Sequence, residues 1–261
     1  MRQYSNAYII GFAAAVCLVC SIVVSSATVA LRPAQARNKE IDRQKQVLAV
    51  AGLIGPGESL DSAEVHKRFN DSIVSRAVDL ATGDYDESVN LASFDQRKAT
   101  KDPKMSRRAE PNNAGVQRVP NIAVVYQRVE DGKVRMLILP IEGKGLWSTL
   151  YGFIALAPDA TTIEGITFYQ HGETPGLGGE IDNPSWKALW PGREAFDGSG
   201  NVAIHVIKGH AGPPSQDPYE VDGLSGATLT SRGVSNLVRF WLSEGGFGPY
   251  LDRFREGEKG A

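Results

Sequence analysis

An apolar stretch without charges near the amino terminus constrains this chain more than any other feature. Residues Ala7 to Leu31 run for 25 residues without a single Asp, Glu, Lys, Arg or His. At about 1.5 Å of rise per residue, a helix of this length exceeds the roughly 30 Å of hydrocarbon in a bilayer. The sequence therefore predicts a transmembrane helix at 7–31, in contact with membrane lipid and preceded by a short tail at 1–6.

A cleaved signal peptide is the alternative interpretation of the same stretch. Ala34-Gln35-Ala36 has the small residues that are typical of a cleavage site. The apolar stretch, however, exceeds the roughly 7 to 15 residues of a signal-peptide core, and Arg2 is the one charged side chain ahead of it. We therefore predict a retained anchor.

Between the anchor and residue 120 the pattern predicts helices followed by a loop. Apolar residues recur at helical spacing over 38–54 and again over 63–80, where Ser62 is the predicted N-cap. We interpret 32–96 as a helical stalk and the start of the soluble domain. The segment 97–120 is rich in charged residues and is interrupted by prolines, so it is predicted to be a surface loop.

Strand patterns dominate the remainder of the chain. Two apolar runs within 122–140 flank a turn and predict a hairpin, 150–170 predicts a second antiparallel pair, and 201–208 predicts a further strand. Helices are predicted at 184–190 and 227–243. Strands and helices that are segregated in this way favour an α+β fold, with a single N-terminal transmembrane helix followed by a mainly antiparallel sheet domain with flanking helices.

Composition and motifs exclude several functional classes. A net charge of −2 does not fit a nucleic-acid-binding protein. No Gly-x-Gly-x-x-Gly turn follows a strand in a βαβ unit, so nothing predicts direct binding of NADH. We predict no metal site and no catalytic residues.

The segment that best indicates a function joins a turn to a helix through very small residues. Ser225 is a good N-cap, which predicts a helix that begins near Gly226. Thr228 then lies in the first turn, where free N–H groups and the helix dipole favour a phosphate. Ala227 and its neighbours have so little bulk that a ligand can approach the backbone closely. The same residues are also compatible with a simple helix cap, and both interpretations stay open at this point.

Two motifs together resemble a known family. These are Asp222-Gly223-Leu224-Ser225-Gly226-Ala227-Thr228 and Glu173-Thr174-Pro175-Gly176-Leu177-Gly178. They are similar to motifs of the bacterial FMN-binding domain found in the C subunit of the sodium-translocating NADH:quinone reductase and in the G subunit of the Rnf complex. In that family the threonine at the position of Thr228 carries FMN through a phosphoester bond. The resemblance runs from the membrane span to the final helix and implies that 121–261 is the FMN-binding domain.

The resemblance also implies a set of cofactor-binding residues. Trp147 is expected to stack on the isoalloxazine ring, although a tryptophan is more often a core residue. Lys208 is expected to place a cation near the phosphate, although a solvated strand end is the alternative. Thr230 is the alternative acceptor hydroxyl. The full expected set is Thr228, Ser225, Gly226, Ala227, Thr230, Glu173, Thr174, Leu177, Lys208, Leu146 and Trp147.

The implied function is that of a membrane-anchored subunit with covalently bound FMN. It would relay electrons between the other subunits of a sodium-pumping NADH:quinone reductase in the bacterial inner membrane, after a flavin transferase has attached the cofactor. One alternative is the homologous FMN-carrying subunit of an Rnf-type ferredoxin:NAD electron transport complex. Another is a non-enzymatic, membrane-anchored module that binds flavin reversibly.

The orientation of the chain in the membrane is predicted differently by charge and by resemblance. The basic residues that follow the span are Arg32, Arg37, Lys39, Arg43 and Lys45, and the positive-inside rule places such a segment in the cytoplasm. The family resemblance places the soluble domain in the periplasm. We follow the resemblance.

Overall fold

The computed structural model describes residues 5–55 and 57–259. It divides into two compact units, Met1–Arg43 and Gln44–Ala261. The first helix, α1, spans Asn6–Val50, and the mean hydropathy of its most apolar 18-residue window is 2.6. The predicted apolar anchor helix is therefore confirmed, although most of the predicted tail, residues 1–4, lies outside the described residues.

The helix predicted separately at 38–54 is the continuation of α1. The helix runs through Pro33 without ending and stops at Val50, where Gly52 adopts a left-handed conformation with φ of 69°. Glycine adopts this conformation without the steric penalty of a Cβ atom, which makes it a common end of a helix. One long helix thus replaces the two that the sequence predicted.

An antiparallel sheet of five strands forms the centre of the second unit. Its strand order is β1-β4-β5-β6-β7. The strands are β1 (Ile73–Asp79), β4 (Ile122–Glu130), β5 (Lys133–Lys144), β6 (Thr149–Leu156) and β7 (Ile163–Gln170), and two short strands between β1 and β4 are β2 (Ser106–Arg108) and β3 (Arg118–Pro120). The two predicted antiparallel pairs are confirmed as β4–β5 and β6–β7.

The helix predicted at 63–80 is wrong in its second half. Helix α2 spans Ser62–Ser72, and the chain then continues directly into β1, which pairs with β4. Asp61 rather than Ser62 is the N-cap, and its carboxylate accepts a hydrogen bond from the N–H of Glu64 at 2.9 Å. The β-branched residues of β1 favour a strand. Its pairing partner β4 is distant in the sequence, so the spacing of apolar residues within 63–80 could not predict the pairing.

The segment 97–120 is not the surface loop that the sequence predicted. It contains most of helix α3 (Gln96–Lys101) and both strands of the β2–β3 pair. Ala99 and Val119 are buried, and the Arg118 guanidinium donates to Ser106 Oγ at 2.8 Å. Helix α3 and strands β2 and β3 are too short to show a helical or strand spacing of apolar residues. The many charged residues of the segment therefore led to the prediction of a loop.

The strand predicted at 201–208 shortens to β8 (His205–Val206). It pairs in parallel with β9 (Glu220–Val221), in a small sheet apart from the main one. The N–H of Val206 donates to Ser235 Oγ at 2.8 Å, so this backbone group bonds to a helix side chain instead of to a further strand.

The helix predicted at 184–190 is shorter than expected. It is α4 (Pro184–Lys187), and it follows a 3-10 turn at Gly178–Asp182.

Helix α5 (Thr228–Leu242) packs on β5 and is followed by α6 (Gly248–Lys259), which the sequence did not predict. The predicted apolar face of α5 is buried, namely Ala227, Val234, Leu237, Val238 and Trp241. A Cβ atom at Gly143 would lie 2.5 Å from Leu237 Cβ, so glycine allows the helix to approach the strand closely. A Cβ atom at Gly233 would lie 2.6 Å from the carbonyl oxygen of Lys144, the last residue of β5, so the first turn of α5 lies beyond that end of the strand.

Candidate functional site

The first turn of α5 has no side-chain cap. The helix begins at Thr228, Ala227 is the N-cap residue, and none of the described side chains makes a capping hydrogen bond to it. The predicted cap at Ser225 is wrong, since this exposed serine lies two residues ahead of the N-cap. The first N–H groups of α5 therefore remain available to a ligand, where the helix dipole favours an anion.

The two threonines of the first turn differ in accessibility. Thr228 is exposed, whereas Thr230 is 1% exposed. The hydroxyl of Thr230 donates to Glu173 Oε2 at 2.6 Å. Thr228 is thus the hydroxyl that a reagent can reach, and the hydroxyl of Thr230 is already used within the protein.

Glu173 joins three segments that are distant in the sequence. Its carboxylate accepts hydrogen bonds from the N–H groups of Leu146, Trp147 and Ser148 at 3.2, 3.0 and 3.3 Å, in addition to the bond from Thr230. Burial of the carboxylate acts to raise the pKa of Glu173, but these four hydrogen bonds outweigh it and leave the pKa below its ordinary value. The 146–148 turn, the 173–178 loop and the start of α5 are therefore held together.

Exposed apolar side chains surround this junction. Leu146 and Trp147 extend from the first segment, Leu177 from the second and Leu229 from the third, and Trp147 is 70% exposed. The alternative of a core position for Trp147 is thereby excluded. Gly226, with φ of 68°, lies against the second segment, because a Cβ atom there would be 3.0 Å from Leu177 Cδ2. An apolar, solvent-accessible surface thus adjoins an uncapped helix start.

Comparison with known proteins agrees with this chemistry. The family described as FMN-binding domain matches residues 145–243. The C subunit of the Na(+)-translocating NADH-quinone reductase of Pseudomonas aeruginosa is 47% identical over 260 residues, which cover 98% of this chain and 99% of the relative. The chain belongs to this C-subunit family. The C subunits of Yersinia pestis, 47% identical over 92% of this chain and 90% of the relative, and of Vibrio vulnificus, 45% identical over 95% of both, agree with this assignment.

Two solved structures have the same fold as this member of the C-subunit family. The crystal structure of Shewanella oneidensis NqrC has a TM-score of 0.76 and 34% identity, covering 85% of this chain and 99% of that one. The C subunit from Parabacteroides distasonis has a TM-score of 0.64 and 28% identity, covering 85% of this chain and 96% of that one. The predicted α+β class, with an apolar N-terminal helix and an antiparallel sheet domain, is confirmed.

Two further predicted residues of this C-subunit protein, Lys208 and Thr174, are exposed on loops that are bonded to other parts of the site. Lys208 is exposed and lies between Ile207 and Gly209, whose backbones adjoin Gly223: the N–H of Gly223 donates to the Gly209 carbonyl at 2.8 Å. Thr174 is exposed, and its carbonyl accepts from the N–H of Leu177 at 3.1 Å. The loop that carries Lys208 is therefore attached to the turn that precedes Ser225.

Sequence reasoning missed several side chains that hold the turn in place. Ser231 Oγ accepts from the N–H of Leu224 at 3.1 Å, and Asp222 contacts His210 Nδ1 at 2.6 Å and the N–H of Ala211 at 3.0 Å. The sequence does contain a pattern that indicates a role for Ser231. It and Ser235 are polar residues at helical spacing beside the apolar face of α5. Leu229 was also missed, although a large apolar residue outside the buried face of α5 is unusual and can be noticed in the sequence.

The stability of this domain is expected to depend on the charge of Glu173 at acidic pH. Because the folded-state pKa lies below the ordinary value of 4.5, the ionised carboxylate stabilises the fold above that pH, and the stabilisation is lost as the pH falls through the folded-state pKa. Urea denaturation of wild type and Glu173→Gln between pH 3 and pH 7 measures this dependence. The difference in unfolding free energy should shrink on acidification, and a difference that is constant with pH would contradict the prediction.

Proposed function

We propose that this chain carries FMN, bound through a phosphoester to the hydroxyl of Thr228, and relays electrons within a sodium-translocating NADH:quinone reductase. The observation that carries the proposal is the exposed hydroxyl of Thr228 at the uncapped start of α5. A phosphate esterified there would accept hydrogen bonds from the first-turn N–H groups and interact favourably with the helix dipole. The match to the FMN-binding domain family supports the choice of ligand.

The residues around Thr228 suit the different parts of FMN. Ser225, Gly226 and Ala227 keep the approach to the backbone open for the phosphate, and Lys208 supplies a nearby cation on an attached loop. The exposed apolar side chains are suited to cover the isoalloxazine ring, with Thr174 available to the ribityl chain. These are Leu146, Trp147, Leu177 and Leu229. Aromatic and aliphatic surface of this kind favours a planar apolar ring over bulk water.

The protein's contribution is attachment, orientation and electrostatics. Bound FMN supplies the redox chemistry by accepting and donating electrons. A bond at Thr228 would prevent loss of the cofactor between turnovers, and the side chains beside it would exclude water from one face of the ring. Among the described residues, no group of three or more His, Cys, Asp and Glu side chains is placed to hold a metal ion.

The two alternative functions receive less support. The relatives named above are C subunits of the NADH-quinone reductase rather than Rnf subunits. A reversible flavin-binding module would not require the exposed hydroxyl at the helix start. It would also release its flavin on denaturation, which provides a direct way to distinguish it.

The relay is tested in the assembled complex. A complex that contains this chain without its flavin is expected to reduce quinone from NADH more than tenfold more slowly than the complete complex, because the relay would be interrupted. The measurement is the quinone-reduction rate of the purified complex in liposomes, with oxidation of NADH by an artificial acceptor as the control for assembly. A normal quinone-reduction rate without this flavin would refute the proposal.

The soluble part of the chain is proposed to lie in the periplasm, where a flavin transferase would attach the cofactor. The helix at the amino terminus anchors the subunit in the membrane. Alkaline phosphatase fused after the last residue is expected to be active, since this enzyme matures only in an oxidising compartment. Green fluorescent protein fused at the same position should be dark. A bright fusion with inactive phosphatase would place the domain in the cytoplasm, as the basic residues after the span predict.

A further inference from the structure

We infer that Glu173 is a positioning residue that holds Leu146 and Trp147 in place beside Thr228, and that its carboxylate charge lowers the reduction potential of the flavin. This inference rests on the proposed attachment of FMN at Thr228. It assigns Glu173 a role through the protein backbone and through its charge, rather than as a direct contact to the ring.

The first argument is that both carboxylate oxygens of Glu173 are already occupied. Oε1 accepts from the N–H groups of Trp147 and Ser148, and Oε2 accepts from the N–H of Leu146 and the hydroxyl of Thr230. The residue is 5% exposed. A direct hydrogen bond to a ligand would have to displace one of these partners, so Glu173 is better suited to hold the protein than to touch the cofactor.

The second argument concerns the 146–148 turn. Three consecutive N–H groups converge on one carboxylate, which is the arrangement of an anion-binding backbone nest. The nest fixes the backbone of the two residues whose exposed side chains, Leu146 and Trp147, would cover the ring. The partners lie 25 to 27 residues from Glu173 in the sequence, and Thr230 lies 57 residues away. The loop also has a local bond, from the N–H of Gly145 to the Ser148 carbonyl at 2.8 Å, but only the bonds to Glu173 connect it to segments distant in the sequence.

The adjoining backbone is shaped to let the carboxylate reach its partners. A Cβ atom at Gly178 would lie 2.5 Å from Thr230 Oγ1 and 2.8 Å from Glu173 Oε2. A Cβ atom at Gly145 would lie 2.6 Å from Glu173 Oε1. Glycine at both positions therefore leaves the space that the carboxylate and the threonine hydroxyl occupy.

The third argument is electrostatic. The four hydrogen-bond donors to Glu173 are neutral, so the negative charge of the carboxylate is stabilised without an opposing cation among them. Glu173 bonds to Thr230 in the first turn of α5 and to the backbone of Leu146 and Trp147, the side chains proposed to cover the ring, so its charge lies in the region of the proposed flavin. Reduction adds negative charge to the flavin, and a nearby anion in a partly buried site opposes it. Removal of the charge should therefore make reduction easier.

The experiment separates charge from geometry with two substitutions at the same position. Glu173→Gln removes the charge and keeps Oε1 for Trp147 and Ser148, but its NH2 group replaces Oε2 and leaves the N–H of Leu146 without this acceptor, so amide exchange is measured on this variant as well. Glu173→Asp keeps the charge on a side chain that is shorter by one methylene. Glu180→Gln is the matched control, because it removes a more exposed carboxylate from the same region of the chain.

Spectroelectrochemical titration of the flavin in the complete complex measures the reduction potential. Hydrogen exchange of the 146–148 amides measures the backbone link, in a Thr228→Ala background without covalent flavin.

At the wild-type midpoint potential, Glu173→Gln is expected to shift the ratio of reduced to oxidised flavin about tenfold toward the reduced form, as a charge interaction at this depth permits. Glu180→Gln should shift the ratio less than twofold. Glu173→Asp should accelerate exchange at 146–148 about tenfold while leaving the flavin ratio within threefold of wild type.

Unchanged flavin ratio in Glu173→Gln would overturn the electrostatic role, and unchanged exchange in Glu173→Asp would overturn the positioning role. If Glu173→Gln fails to accumulate, Glu173→Asp still decides the positioning role, and the titration is repeated on Glu173→Met, an uncharged side chain of similar length, where an unchanged flavin ratio would likewise overturn the electrostatic role. Absence of covalent flavin from the wild-type chain would refute the proposed function instead. The exchange measurement, which needs no flavin, would remain valid in that case.

Discussion

Replacement of Thr228 by alanine is expected to abolish covalent flavin incorporation completely, whereas Thr230→Val should retain it. The reason is the difference in accessibility of the two hydroxyls. Thr228 is exposed at the uncapped start of α5, while Thr230 is buried and donates its hydroxyl hydrogen to Glu173. A transferase can therefore reach the first hydroxyl without unfolding the helix, and the second is sterically shielded and already hydrogen-bonded.

The measurement is in-gel flavin fluorescence after full denaturation, with each variant coexpressed with a flavin transferase. Thr228→Ser is the conservative control, because it keeps an esterifiable hydroxyl at the same place and should retain part of the fluorescence. Fluorescence that survives in Thr228→Ala and disappears in Thr230→Val would move the attachment site. A dark wild-type band from a protein that contains flavin in its native state would favour the reversible binding module.

Replacement of Trp241 by alanine is expected to lower the free energy of unfolding by about 3 to 5 kcal/mol. This side chain is 1% exposed and packs between Phe240 and Phe247, with ring centroids 5.5 and 5.6 Å away. Its indole Nε1 donates to the Glu142 carbonyl at 2.6 Å. The substitution thus creates a large cavity between α5 and β5 and leaves a backbone carbonyl without this donor.

Trp147→Ala is the matched control for this prediction, since Trp147 is 70% exposed and its loss should change stability by less than about 0.5 kcal/mol. The midpoint of urea denaturation, followed by circular dichroism, measures both variants without relying on tryptophan fluorescence. We also expect Trp241→Ala to reduce flavin incorporation, because α5 positions Thr228. Equal stabilities of the two variants would contradict the packing of α5 on β5.

The sequence alone was sufficient where the signal is local. The apolar anchor, the β4–β5 hairpin around Asp131-Gly132 and the buried face of α5 follow from composition and periodicity, which act over a few residues. The resemblance to the FMN-binding domain is also local, since it rests on two short motifs. The comparisons confirm the family and the fold class that these features predicted.

The tertiary structure decided everything that depends on partners distant in the sequence. Residues Ile73–Asp79 have an apolar pattern compatible with a helix, and pairing with β4 makes them a strand. Thr228 ends the motif and Thr230 lies two residues beyond it. The tertiary structure buries Thr230 against Glu173, 57 residues away, and leaves Thr228 exposed. Burial and hydrogen bonding between distant segments are properties of the packed chain, so local patterns name the candidate residues and packing determines which of them are exposed.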